Sequence, residues 1–237
     1  MSEWKAKRFW TEAQVVEAQD GYAVELDGRP VRSPLRTHVV MPTFALAQGV
    51  ADEWQAQEGT IDPLSMPLTR AVNAALDKVI PQHAEVAGHL AEYGSSDLLC
   101  YRAAGPGELV ERQLAGWDPL LDWLDQTYGA RLAVTQGVIP VAQPANASQV
   151  LRTHVADMSA WDLTALSELV TLSGSLVLAL AVMDGHLPAP AAWDLSRIDE
   201  SWQIEQWGAD EEAAELAASK RASFLQAVTY LALVRQP

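Results

Sequence analysis

One stretch dense in turn formers, Gly59-Thr-Ile-Asp-Pro-Leu-Ser-Met-Pro, separates two parts of the chain with different apolar periods, and this limits the fold more than any other feature. Upstream, Thr11 to Thr43 holds short β-rich runs: Gln14-Val-Val-Glu-Ala-Gln, Tyr22-Ala-Val-Glu-Leu, Pro30-Val-Arg and His38-Val-Val-Met. Asp20-Gly21 and Asp27-Gly28 tolerate the positive φ of tight hairpins, and Pro34 and Pro42 punctuate the later runs. A meander of about four antiparallel strands is expected. Thr43 then fits a helix N-cap, and Leu46, Val50 and Trp54 fall at helical spacing toward Gln57, giving a helix to cover one face of the sheet.

Downstream almost everything reads as helix: Met66 to Ile80, Gln82 to Tyr93, Leu109 to Tyr128, Ala147 to Met158, Asp162 to Met183, Ala191 to Trp207 and Asp210 to Val234. Glycines and prolines separate these runs, and Arg131 to Thr135 could add one strand. The expected fold is α+β, with a small antiparallel β-containing domain over residues 1–63 and a larger all-helical domain over 64–237. Leu114, Trp117, Leu120, Leu121, Leu124 and Tyr128 form one apolar stripe, and Ala213, Leu216, Ala217, Phe224, Ala227, Val228 and Leu231 another. Both are read as core-facing, since burial of such a face is what stabilises a helix.

Thirty-one acidic residues against sixteen basic ones leave a formal charge of -15, with no cluster of lysines or arginines. Nucleic acid is therefore a poor partner, and the same Coulomb argument disfavours anionic lipid. The most apolar stretch, Leu163 to Met183, is interrupted by Ser167, Glu168, Thr171 and Ser173-Gly174-Ser175, too polar for a bilayer span, so no membrane insertion is expected. The single cysteine, Cys100, has no disulfide partner and is expected to be buried and inert in a reducing compartment. The N-terminus carries charges without a following apolar run of signal-peptide length.

No catalytic signature emerges. Leu172-Ser-Gly-Ser-Leu lacks the flanking glycines of a nucleophile elbow, and Gly105-Pro-Gly-Glu puts an acid where a phosphate loop would hold phosphate. The five histidines are scattered with no metal-ligand spacing. No catalytic residue, cofactor or metal is expected. An enzyme using carboxylates such as Glu200 and Asp97 in a cleft, or an interaction module of another complex, stays open as an alternative.

One segment resists a purely structural account. On a continuous helix, Trp193, Arg197, Glu200, Ile204 and Trp207 share one side, with Leu195, Ile198 and Trp202 nearly opposite. Either both faces are buried, or one is offered to a partner, where tryptophan is a favoured anchor. Glu200 in the middle of the indole face needs Arg197 or another base beside it. Trp54, Trp123 and Trp207 are the tryptophans hardest to assign wholly to a core.

The chain resembles the mitochondrial and alphaproteobacterial assembly factors for the alpha subunit of the F-type ATP synthase. The resemblance rests on the order of many short segments, among them Arg8-Phe-Trp, Leu26-Asp-Gly-Arg-Pro-Val, Glu53-Trp-Gln-Ala-Gln, Ile61-Asp-Pro, Met66-Pro-Leu-Thr-Arg, Asp97-Leu-Leu-Cys-Tyr-Arg, Trp117-Asp-Pro-Leu-Leu and Asp199-Glu-Ser-Trp-Gln-Ile-Glu-Gln-Trp-Gly. It implies a two-domain α+β protein that makes and breaks no bond, binds the free alpha subunit and shields the surface later covered by the beta subunit. It also places the family's functionally sensitive acid on Glu200, with Glu205 the next candidate. Partner-binding residues are thus expected at Glu200, Trp207, Trp193, Ile204, Arg197, Glu205 and Trp54. The chain opens without a mitochondrial presequence, which points to a bacterial cytoplasm.

Overall fold

The structure, a computed structural model, describes residues 7–236. Strands β1 (Ala13–Ala18) and β2 (Gly21–Leu26) pair antiparallel from Ala13↔Leu26 to Ala18↔Gly21. On the far side of β2, β3 (Arg29–Pro30) pairs through Leu26↔Arg29 and β4 (Val40–Met41) through Tyr22↔Met41. Gly21 has φ 148°, and a Cβ there would lie 2.2 Å from the Met41 carbonyl oxygen, so β4 can approach only because this residue has no side chain. Asp27 takes a positive φ in the second turn, and its carboxylate accepts from the N–H groups of Thr11 and Glu12, which holds its pKa below the usual value.

Helix α1 (Phe44–Gln55) starts where expected: Thr43 Oγ1 accepts from Leu46 N at 3.2 Å and donates to Leu233 O at 2.7 Å. Its buried Leu46, Ala47, Val50 and Ala51 pack on β1 and β2. Glu53 reaches across to cap helix α2 (Pro67–Ala74), accepting from Leu68 N, Thr69 N and Thr69 Oγ1, each at 2.7 Å. The single helix expected from Met66 to Ile80 is instead α2 followed by a π-turn over Ala75–Val79. These elements belong to one unit, the chain up to Gln82 with Ala160–Ala165 and the stretch from Thr229 on.

The second unit comprises His83–Ser159 and Leu166–Val228. In it α3 (His83–Glu92) packs on α5 (Ala145–Ala156), and β5 (Tyr101–Arg102) pairs parallel with β6 (Thr135–Gln136). Between those strands α4 (Gly107–Tyr128) ends at Gly129 in the left-handed conformation. Its stripe buries Trp117, Leu120, Leu121 and Leu124, while Leu114 stays 46% exposed.

Two expected helices are each two. Asp162 to Met183 resolves into α6 (Ala160–Ser173) and α7 (Leu176–Met183), broken at Gly174 with φ 73°. Ser175 caps α7, and the carboxylate of Asp97 holds Ser175 Oγ at 2.7 Å and Val177 N at 3.0 Å. Every residue of α7 is buried. Ala191 to Trp207 resolves into α8 (Ala189–Ser196) and α9 (Ile198–Trp207), with Arg197 non-helical between them. Helix α10 (Glu211–Arg235) completes the chain, and no helix among the described residues is long and apolar enough to cross a membrane. The architecture is the expected α+β.

Candidate functional site

The break at Arg197 decides what α9 can present. Ser196 Oγ donates back to Trp193 O at 2.7 Å and Arg197 N donates to Asp194 O at 3.1 Å, so α8 closes tightly and the helical phase is reset. The continuous face from Trp193 to Trp207 therefore does not form. Trp193 turns inward, 5% exposed and tilted against Phe224 with ring centroids 5.8 Å apart. Trp202 is likewise buried, with the Arg112 guanidinium 4.9 Å over its ring.

Helices α8 and α9 are both tied to α4. Arg112 pairs with Glu205 at 2.7 Å, and Gln113 Nε2 donates to Asp199 Oδ1 at 2.6 Å. Trp117 Nε1 donates to Leu195 O at 2.9 Å. Leu195 and Ile198 close over Gly116, where an added Cβ would come within 2.7 Å of Leu195. Glu205 is thus committed to the α4 side, and the hydrogen bond from Arg112, helped by its charge, holds its pKa below the ordinary carboxylate value.

The other side of α9 is open. Glu200 pairs with Arg197 at 2.7 Å, the neighbour it was expected to need. Ile204 is 48% exposed and Trp207 79%. With Ala213, Ala214 and Ala217 of α10 they wall a hollow of about 300 Å³, whose rim carries Arg197, Glu200 and Asp210. Trp207 also walls a second hollow of about 370 Å³, shared with Tyr101, Pro106, Val138 and Trp202. Val138 and Ile139 beside it are exposed, as is Leu216 on α10, which the second sequence stripe assigns to the core. The first three turns of α10 are exposed because only its later part, from Phe224, meets packing partners.

The structure brings together Arg197, Glu200, Ile204 and Trp207, buries Trp193 beneath them and sets Glu205 on the α4 side. Trp54 belongs to the other unit, where it packs edge-on against Trp10 with centroids 5.3 Å apart. Trp123 is engaged by a stacked His186 at 4.7 Å. Sequence reasoning misses Val138 and Ile139, which lie in a Pro- and Gly-flanked loop with no periodicity to mark them.

The carboxylates of the enzyme alternative do not converge on a cleft. Asp97 is fully buried, and its oxygens accept from Leu99 N, Ser175 Oγ and Val177 N. Burial and the nearby Asp97 push the Cys100 thiol up to about 12, where no nucleophilic thiolate exists at neutral pH. No cluster of three or more candidate metal ligands occurs among the described residues.

Comparison with known proteins adds the family. Residues 7–125 match the family model described as ATP12 chaperone protein. The chain is 25% identical over 222 residues to protein atp12, mitochondrial, of Schizosaccharomyces pombe, covering 89% of this chain and 76% of that protein. It superimposes on the crystal structure of Atp12 from Paracoccus denitrificans with a TM-score of 0.95 at 49% identity, over 98% of this chain and 100% of the other. An Asp-to-Lys mutant of the Paracoccus denitrificans protein gives the same TM-score and identity over 99% of this chain and 100% of that one. By sequence and by structure alike, this chain belongs to the ATP12 chaperone family.

Proposed function

We propose that the protein is a chaperone for assembly of the proton-translocating ATP synthase, and that it holds the free alpha subunit of the catalytic head until the beta subunit replaces it. The observation that carries this reading is Trp207, an indole 79% exposed on a helix whose opposite side is anchored to α4. A large exposed aromatic costs solubility unless a partner covers it, and a rigid support lowers the entropy lost on binding. Asp210 together with the Arg197–Glu200 pair leaves the rim with a net negative charge, which suits a client surface that is apolar with basic edges. Glu200 acts as a recognition group here, held in place by Arg197. The family membership supports the chaperone role, and a reducing bacterial cytoplasm is the proposed setting.

Co-expression with the alpha subunit tests the reading. The wild-type chain should keep that subunit soluble and co-purify with it. Ile204→Ser combined with Trp207→Ser should cut the recovered complex by about tenfold, the loss of one good anchor, with circular dichroism unchanged. Glu200→Lys should weaken capture while leaving α9 folded. An alpha subunit whose solubility is indifferent to the wild-type chain would end the proposal.

A further inference from the structure

The N-terminal unit holds a cavity that the α9–α10 surface does not explain. Its volume is about 620 Å³, within the usual range for ligand sites. Ile61, Pro63, Met66, Thr69 and Arg70, from two of the segments that carry the family resemblance, line it, Met66 and Thr69 from buried positions. Leu35, Trp54, Ile61 and Met66 supply apolar wall, and Leu35 is 72% exposed at the mouth. The Trp54 indole nitrogen, buried beside it, has no hydrogen-bond partner among the described residues.

The charge here runs against the rest of the molecule. Arg32, Arg70 and Lys78 all line the cavity and are all exposed, in a chain with a net charge of -15. The only acid among the lining residues, Asp77, has both oxygens engaged, one by Ser33 Oγ at 2.6 Å and the other by Leu35 N at 3.0 Å. Lys78 and Arg70 form no ion pair among the described residues; Arg70 feels the Glu53 carboxylate, but the oxygens of that group are taken up by Leu68 N, Thr69 N and Thr69 Oγ1, which leaves the guanidinium hydrogens for a ligand. An apolar hollow with a cationic rim selects an apolar group flanked by carboxylates. Because the family is one of chaperones, whose clients are polypeptides, a peptide is the occupant to expect.

We infer that this cavity is a second polypeptide contact, taking an apolar side chain from an extended segment whose neighbouring residues are acidic. The inference rests on the chaperone reading and not on the α9–α10 hollow. The charge of this cavity's rim is opposite in sign to that of the hollow in the helical unit, so the two sites select different segments of polypeptide.

The test uses the whole ¹⁵N-labelled chain and two blocked peptides, acetyl-GELFDEG-amide and its neutral counterpart acetyl-GQLFNQG-amide. The Trp54→Phe variant identifies the Trp54 indole N–H resonance among the tryptophan signals. The acidic peptide should shift that resonance saturably and leave the Trp207 signal unmoved, and the neutral one should bind about tenfold more weakly. Arg70→Gln combined with Lys78→Gln, both at exposed positions, should weaken the acidic peptide by about the same factor, whereas Glu200→Lys should not. A Trp54 signal indifferent to the acidic peptide, or equal binding of the two peptides, overturns the inference. So does a shift produced by sodium decanoate alone, which would make the site one for small amphiphiles. Any of these outcomes leaves alpha-subunit capture untouched, so failure here and failure of the proposed function are distinguishable.

Discussion

Asp97 joins parts of the fold that lie far apart in the sequence. It is fully buried, and its hydrogen bonds from Leu99 N, Ser175 Oγ and Val177 N join a short turn to the start of α7. Burial raises its pKa to about 6 from an ordinary 3.8, overcoming bonds that favour the charged form. A carboxyl with a raised pKa binds its proton more tightly in the folded chain than in the unfolded one. Its extra stability is therefore fully present below pH 3.8 and is lost as the pH rises through about 6. About 2 kcal/mol should disappear between about pH 4 and pH 7 on that account. Asp97→Asn cannot titrate, so urea denaturation should show the stability of the wild type relative to the variant falling across this window. A difference that stays flat with pH would mean that Asp97 ionises in the fold as it does in the open chain. Asp97 was readable in sequence only as a possible acid; its partners lie up to 80 residues away, and no local pattern announces them.

At the scale of elements, the two helix breaks differ in how they could have been foreseen. The first has a visible signal, Ser173-Gly174-Ser175, whose polarity argues against a membrane span but does not by itself require a break. The residues on both sides are apolar enough to continue one helix, and it is the Asp97 cap that makes a fresh start at Ser175 favourable. Gly174 takes φ 73°, and an added Cβ there would meet nothing nearer than Leu98 Cβ at 3.9 Å. Gly174→Ala should therefore cost about 1–2 kcal/mol from backbone strain alone, without a clash, as measured by the urea midpoint. A neutral result would mean that the break can shift to another residue. The second break, at Arg197, has no glycine or proline to mark it; Trp193 stays beside Arg197, whose guanidinium lies 5.8 Å from the ring centroid, but a helical wheel carries no sign that the indole is buried. The hairpins at Gly21 and Gly28 and the start of α1 at Thr43 were legible, because turn and cap chemistry is local. The anchoring of α9 by Arg112 and Gln113 was not, because those residues are 86 or more positions from their partners.

The whole molecule sets a large negative charge against exposed apolar groups, and the balance between them can be tested without the client. At neutral pH the charge of -15 opposes association of copies through Ile204 and Trp207. That repulsion fades as the pH falls toward the isoelectric point near 4.6. Apolar association then has nothing to oppose it, and the surface proposed to cover a client should begin to cover another copy. Ile204→Ser with Trp207→Ser leaves every ionisable group in place, so the variant loses its charge over the same pH range as the wild type. Any difference between them must come from the apolar surface. Light scattering of the wild type should rise at a higher pH than that of the variant, with circular dichroism establishing that both remain folded at the onset. Coincident onsets would assign self-association to some other surface, and would remove the argument that net charge is what lets this chaperone display an uncovered tryptophan.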